Sequence, residues 1–220
     1  MPPKKPAAKA APKPAAKGKT TTATKSTTTT TKSTTTKADT SKAKEAAAVD
    51  EKEPEVTVIK IKQLASAIKD PDGKMKAAKK WPLLIDKTEN AGTFLRYTNS
   101  NYMQAISQKD MAPETLRKAL IGAIRYGKAL VVDMMDFDGF EILLTSLEEM
   151  EKGLTDKLMN RSIMDNESYM SLVTDDDGDE YKDYMFSDDL KDSFVFLILT
   201  IKDPPNMLMM RKMYPMRIEN

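Results

Sequence analysis

Asp133 closes the run "KALVVD" (residues 128 to 133), in which a short apolar, β-branched stretch ends on an acid. An acid at the end of a buried strand is the arrangement that orients magnesium beside a nucleoside triphosphate. That chemistry needs further parts. A glycine-rich loop must converge its amide hydrogens on the phosphates, a lysine must reach the outer oxygens, and a hydroxyl must face the metal. Gly92 and Thr93, at the end of the loop "DKTENAG", stand where such a loop would finish, and Thr200, at the end of "SFVFLILT", stands where a hydroxyl would sense the last phosphate.

The set is damaged. One glycine and Thr93 remain, but no lysine precedes Thr93, Glu89 would repel phosphate, and Lys87 sits too early in the loop to substitute. Met134 follows Asp133 where a hydrolytic site places the glutamate that polarises water, although Asp136 is close enough to help with a metal. The plainer reading makes Asp133 the cap of a strand end and Thr200 a structural hydroxyl. Arg96, Arg117, Arg125, Arg161, Arg211 and Arg217 all have the reach for a neighbouring subunit, and spacing singles out none of them. The expectation is a non-enzyme with no catalytic residue and no metal site. Gly92, Thr93, Asp133 and Thr200 form a degenerate nucleotide site, and ATP with magnesium is the cofactor it would take if any function remains.

Composition narrows the classes further. Cysteine and histidine are both absent. Disulfides, thiolate metal sites, cysteine nucleophiles, serine-histidine triads and His-based metallohydrolases are thereby excluded. No apolar run approaches a membrane span, and the N-terminal lysines lack the apolar stretch of a secretory signal, so a soluble, intracellular chain is expected. Charge is divided unequally. Eleven lysines and one acid, Asp39, precede Glu45, a net of +10; the chain totals +2, so the remainder carries −8.

Residues 1 to 50 are rich in Lys, Ala, Pro and Thr and hold almost nothing to bury, so a disordered basic tail is expected there. Spaced lysines suit polyanions such as nucleic acid phosphates or the acidic tails of tubulin. The absence of aromatic residues weighs against stacking on single-stranded bases. The tail also reads as a mere solubiliser, and its threonines are potential phosphorylation sites that would reverse the local charge.

The elements that must position the candidate residues follow from periodicity. "VTVIKI" (56 to 61) reads as a short strand, and residues 51 to 79 as a linker with that strand, a helical turn or two and an Asp-Pro-Asp-Gly turn. The body is placed at residues 80 to 220. There, "WPLLID", "NYMQAI", "ALVVD", "SFVFLILTI" and "MYPMRI" read as strands. "TFLRY", "APETLRKALIGAIRYG" and "FDGFEILLTSLEEMEKG" read as helices; Pro113 and Glu114 open the second, and Gly127 closes it. "SYMSLVTDDDGDEYKDYMF" reads as two short strands around a turn at Asp177-Gly178. Strands alternating with helices imply an α/β sandwich with a largely parallel sheet, whose ligands bind at the carboxyl ends of the strands.

Three stretches, "WPLLIDKTENAGTFLRY", "AIRYGKALVVD" and "DSFVFLILTIKDPPNM", in this order and spacing, resemble the fifth AAA+ module of dynein heavy chains. Through "FLRYTNSNYMQAI" and "APETLRKALIGAIRYGKALVVD" the chain is also similar to the C-terminal region of IQ-motif and ankyrin-repeat proteins, which share that module. The likeness spans about residues 80 to 218. Within it, Lys87 to Ala91 replace the family's Pro-Gln-Gly-Gln-Ala, and Asp133 replaces its Glu. No IQ motif or ankyrin-period repeat is visible, and the tail resembles neither family.

The resemblance implies a degenerate AAA+ (P-loop NTPase-like) three-layer sandwich that supports or transmits conformation without hydrolysis. The corresponding expectation is an adaptor or scaffold in the cytoplasm, on microtubules or in a cilium, with dynein, axonemal or microtubule components as protein partners. Two other classes stay open: a weak ATP-binding or hydrolysing domain completed by a partner subunit, and a chromatin- or RNA-associated nuclear protein acting through the tail. Two further motifs carry less. Aligning Gly178 to the sixth position of a calcium loop puts Val173 first and Tyr184 twelfth, where an aspartate and a glutamate are required. The methionines of "NMLMMRKMYPM" serve either as core filling or as an adaptable docking surface.

Overall fold

The structure, a computed structural model, describes residues 54 to 219. The tail expected over residues 1 to 50 lies outside them. Six strands, β1 (Thr57–Lys60), β2 (Pro82–Ile85), β3 (Ser100–Gln104), β4 (Ala129–Asp133), β5 (Val195–Thr200) and β6 (Tyr214–Glu219), form one sheet in the order β1-β6-β2-β5-β4-β3. Every pairing is parallel. The strands are joined through helices α1 (Leu64–Ile68), α2 (Lys74–Ala77), α3 (Asn90–Tyr97), α4 (Pro113–Tyr126), α5 (Phe140–Met150), α6 (Leu154–Met159), α7 (Asn166–Met170), α8 (Asp188–Ser193) and α9 (Met207–Lys212).

Topology sorts the helices between two faces. From β1 to β2 and on to β3 the chain steps along the sheet in one direction, and from β3 through β4 and β5 to β6 it steps back. Right-handed crossovers put the connections of the two directions on opposite faces. The core divides accordingly. Leu64, Ile68, Met75, Ala91 and Leu95 of α1 to α3 pack with Leu84, Val131, Leu197 and Leu199 in one cluster. The stripes of α4 and α5 pack with Leu83, Ile85, Leu130, Val132, Phe196 and Ile198 in the other. Successive strand residues alternate between the clusters, as the pleat requires, so the central strands are apolar throughout.

Helix α4 runs from Pro113 at its first turn to Gly127, whose φ of 61° is the left-handed cap that glycine adopts without strain. A Cβ there would meet the Leu190 carbonyl oxygen at 2.6 Å, so both the conformation and the space require glycine.

Two expectations change. Within the segment expected as a linker over 51 to 79, residues 54 to 79 are part of the domain: β1 pairs with β6 along its length, and Leu64, Ile68 and Met75 are buried in the core. Its apolar residues are few and separated, which hides their common face from a linear reading. The pair of strands expected between Ser168 and Phe186 is instead α7 followed by three short 3-10 turns. Dense aspartate favours local side-chain-to-backbone bonds over a ladder. The Asp177 carboxylate accepts from the Thr174 amide at 2.7 Å and is gripped by Arg117 Nη1 and Nη2 at 2.6 and 2.8 Å. This grip folds the acidic segment onto α4 and gives Asp177 a structural role. Among the described residues no helix is long and apolar enough to cross a membrane.

Candidate functional site

Helix α3 and the helices on the opposite face leave the sheet around adjacent β2 and β5, the topological switch where open parallel sheets bind ligands. The carboxyl ends of β2, β4 and β5 bring three of the four candidates to one small cavity. Gly92, Thr93 and Asp133 line it with Asp86, Glu89, Arg96, Tyr102, Met135, Leu199 and Ile201. Thr200 stands beside it but turns its hydroxyl elsewhere.

Asp86, the first residue after β2, is fully buried. One of its oxygens accepts from the Thr88 amide at 2.8 Å and the Thr88 hydroxyl at 2.6 Å; the other accepts from the Ala91 amide at 2.6 Å. Ala91 belongs to the first turn of α3, whose amide hydrogens have no partner within the helix. A phosphate held at this helix end would use those hydrogens. Here the chain's own carboxylate takes one of them, and only residues 86 to 89 separate β2 from α3.

Gly92 serves packing. Its φ is not left-handed, and a Cβ would meet Leu199 Cδ2 and the Tyr102 hydroxyl, each at 3.2 Å. The residue therefore lets α3 approach the sheet. Thr93 is exposed, and its hydroxyl donates back to the Glu89 carbonyl at 3.3 Å. Asp133 is buried at 4 % exposure. One oxygen accepts from the Met135 amide at 2.9 Å, and the other from the Tyr102 hydroxyl at 2.5 Å and Arg96 Nη2 at 3.5 Å. Arg96 also stacks over the Tyr102 ring, 4.7 Å from its centroid. Burial raises the Tyr102 pKa, and the hydrogen bond and charge of Asp133 raise it further, against a smaller opposing effect of Arg96.

Thr200 joins two strand ends. Its hydroxyl donates to the Met135 carbonyl at 2.9 Å and accepts from the Lys202 amide at 3.1 Å. Met135 itself takes a left-handed φ of 50°, uncommon outside glycine, at the rim of the cavity. Met134 is buried in the core, and Asp136 is exposed. Lys87 turns away from the cavity to pair with Asp203 at 3.1 Å.

Chemically, the arrangement is self-contained. The cavity is about 40 Å³, room for a few waters, whereas nucleotide-sized ligands need several hundred. Three acids and one arginine line it, a balance that repels phosphate. Among the described residues no group of three or more carboxylates is arranged to hold a metal ion. Asp86 and Tyr102 join this cluster without any motif marking them in the sequence, and spacing does not separate Arg96 from the other arginines. A capping carboxylate five residues before the amide from which it accepts leaves a weak signal in the sequence. No family model matches the chain, and no solved structure matches it.

Proposed function

We propose that the domain is a degenerate, dynein-like AAA+ module that acts as a scaffold or adaptor without binding or hydrolysing nucleotide. The observation that carries this reading is the bond from the Ala91 amide to the Asp86 carboxylate, which supplies an internal anion where a phosphate would dock. The saturation of Asp133 by Tyr102, Arg96 and the Met135 amide adds to it. The AAA+ identity itself rests on the three sequence stretches, together with the parallel sheet that carries them. On this reading the partners are proteins, with dynein-related, axonemal or microtubule components as the candidates that the resemblance suggests. The basic tail contributes electrostatic affinity for polyanions.

Thermal unfolding tests the proposal. A ligand at 100 times its Kd stabilises the folded state by about 2.7 kcal/mol. Millimolar magnesium-ATP is expected to leave the transition unmoved, and a concentration-dependent rise would contradict the proposal. Polyanion binding by the tail should fall steeply with added salt and vanish on deletion of residues 1 to 50. Affinity that survives the deletion would rule out that role.

A further inference from the structure

The opposite end of the sheet carries a second cavity, of about 210 Å³, beside the amino ends of β2 and β5. Its base is built around Trp81, which is 1 % exposed, donates its indole N–H to the Leu158 carbonyl at 2.6 Å, and meets Phe194 edge-on at 5.4 Å. Arg161 lies on the Trp81 ring with its guanidinium carbon 3.7 Å from the centroid. This is a close cation-π stack. Arg161 reaches the stack from a left-handed φ of 71°, which costs an L-residue about 1 kcal/mol or more. Backbone strain of this kind concentrates at ligand-binding positions.

The charges around the cavity are incompletely matched. Among the described residues the guanidinium bonds only to the Lys80 carbonyl, at 3.3 Å, and forms no ion pair. Lys69 and Lys76 line the same cavity and also lack a carboxylate partner there. Two acids face them. Asp70 already accepts the Met75 and Lys76 amides at 3.1 and 2.8 Å, and Asp192 is exposed. Burial lowers the Arg161 pKa, with the Asp70 charge opposing, as befits a guanidinium stripped of part of its hydration. The remaining wall is apolar, from Ile68, Met75, Pro82 and Phe194.

We propose that this cavity binds a small amphipathic oxyanion, a carboxylate or phosphate monoester on a short apolar stem, with Arg161 as the principal donor and Lys69 and Lys76 at the rim. A planar guanidinium with free donors matches either oxyanion, and the apolar wall takes the stem. The volume is below that of nucleotide and drug-sized sites, so the ligand is small. The site is independent of the nucleotide question, since it lies at the opposite ends of the strands.

Trp81 is the only tryptophan in the chain and reports directly on Arg161. The full chain is titrated with hexanoate and, separately, with phenyl phosphate at constant ionic strength, following tryptophan emission. A saturable change with either supports the proposal, and the stronger of the two identifies the headgroup. Arg161→Gln should weaken that binding about tenfold or more, the worth of a charged hydrogen bond. No saturable change with either probe, equal binding of neutral hexanamide, or an unaltered response in a folded Arg161→Gln would overturn it. Should Arg161→Gln fail to fold, Lys69→Glu with Lys76→Glu, both at exposed positions, decides the matter: weaker binding supports the site and unchanged binding overturns it.

Discussion

Buried carboxylates need donors, and Asp86 and Asp133 find theirs within the chain. Removing the acceptor leaves buried donors without partners, at a cost of about 1–3 kcal/mol. Asp86→Ala should therefore lower the urea midpoint by that equivalent, with Asp86→Asn intermediate; an unchanged midpoint would show that the loop does not depend on this carboxylate. Tyr102 gives a prediction in pH. Its folded pKa lies above the ordinary value of about 10, so the stability it contributes is full below that pH and declines as pH rises beyond it. Tyr102→Phe should be less stable at neutral pH by about 1 kcal/mol and show a flatter alkaline limb. Equal alkaline slopes in the two proteins would remove the Tyr102–Asp133 bond from the account. At this scale the sequence was partly legible. Gly92, Thr93, Asp133 and Thr200 were visible as remnants of a pattern, but Arg96 and Tyr102 become partners of Asp133 only when α3 and β3 fold over the end of β4.

Among the elements, the acidic segment after α7 is held chiefly by the Arg117 guanidinium, with Arg125 Nε donating to the Glu180 carbonyl at 3.0 Å. Arg117 bonds bidentately to Asp177, bonds to Glu114 and donates to the Leu172 carbonyl at 2.6 Å. Its hydrogen bond is the main cause that draws the Asp177 carboxyl well below the ordinary carboxylate range, and it pulls Glu114 down to about 2. A depressed folded pKa contributes stability above the unfolded value of about 4 that is lost as pH falls below it. Arg117→Met leaves Asp177 buried without its partner and should cost about 3 kcal/mol at pH 7. The difference from the native chain should narrow in acid, as both unfolding curves measured between pH 7 and pH 2 will reveal; a constant gap would contradict the pairing. The long strands and α4 were legible because their apolar residues are contiguous or recur at helical spacing. The 3-10 turns were not, because the first is held through Asp177 by Arg117, sixty residues earlier, and the second through its Glu180 carbonyl by Arg125.

For the whole molecule, β1 to α2 complete the sheet and cover part of one of its faces. A chain beginning at Lys80 would expose Met216 and Ile218 of β6 and lose Leu64, Ile68 and Met75 from the core. It should unfold without a cooperative transition, whereas a chain beginning at residue 50 should melt as the full chain does. A cooperative, native-like melt of the shorter chain would restore the linker reading of residues 51 to 79. The parallel α/β class was legible because alternation of strand and helix fixes it, while membership of the first segment was set by long-range pairing with the last strand. If the chain's own carboxylates occupy the strand-end site in place of a nucleotide, calorimetric titration of the full chain with magnesium-ATP, with Asp133→Ala as its control, will show it. The expected result is no saturable heat up to millimolar ligand beyond a salt-sensitive, variant-independent background from the lysine-rich tail. Stoichiometric binding that Asp133→Ala abolishes, in a variant that still folds, would contradict it.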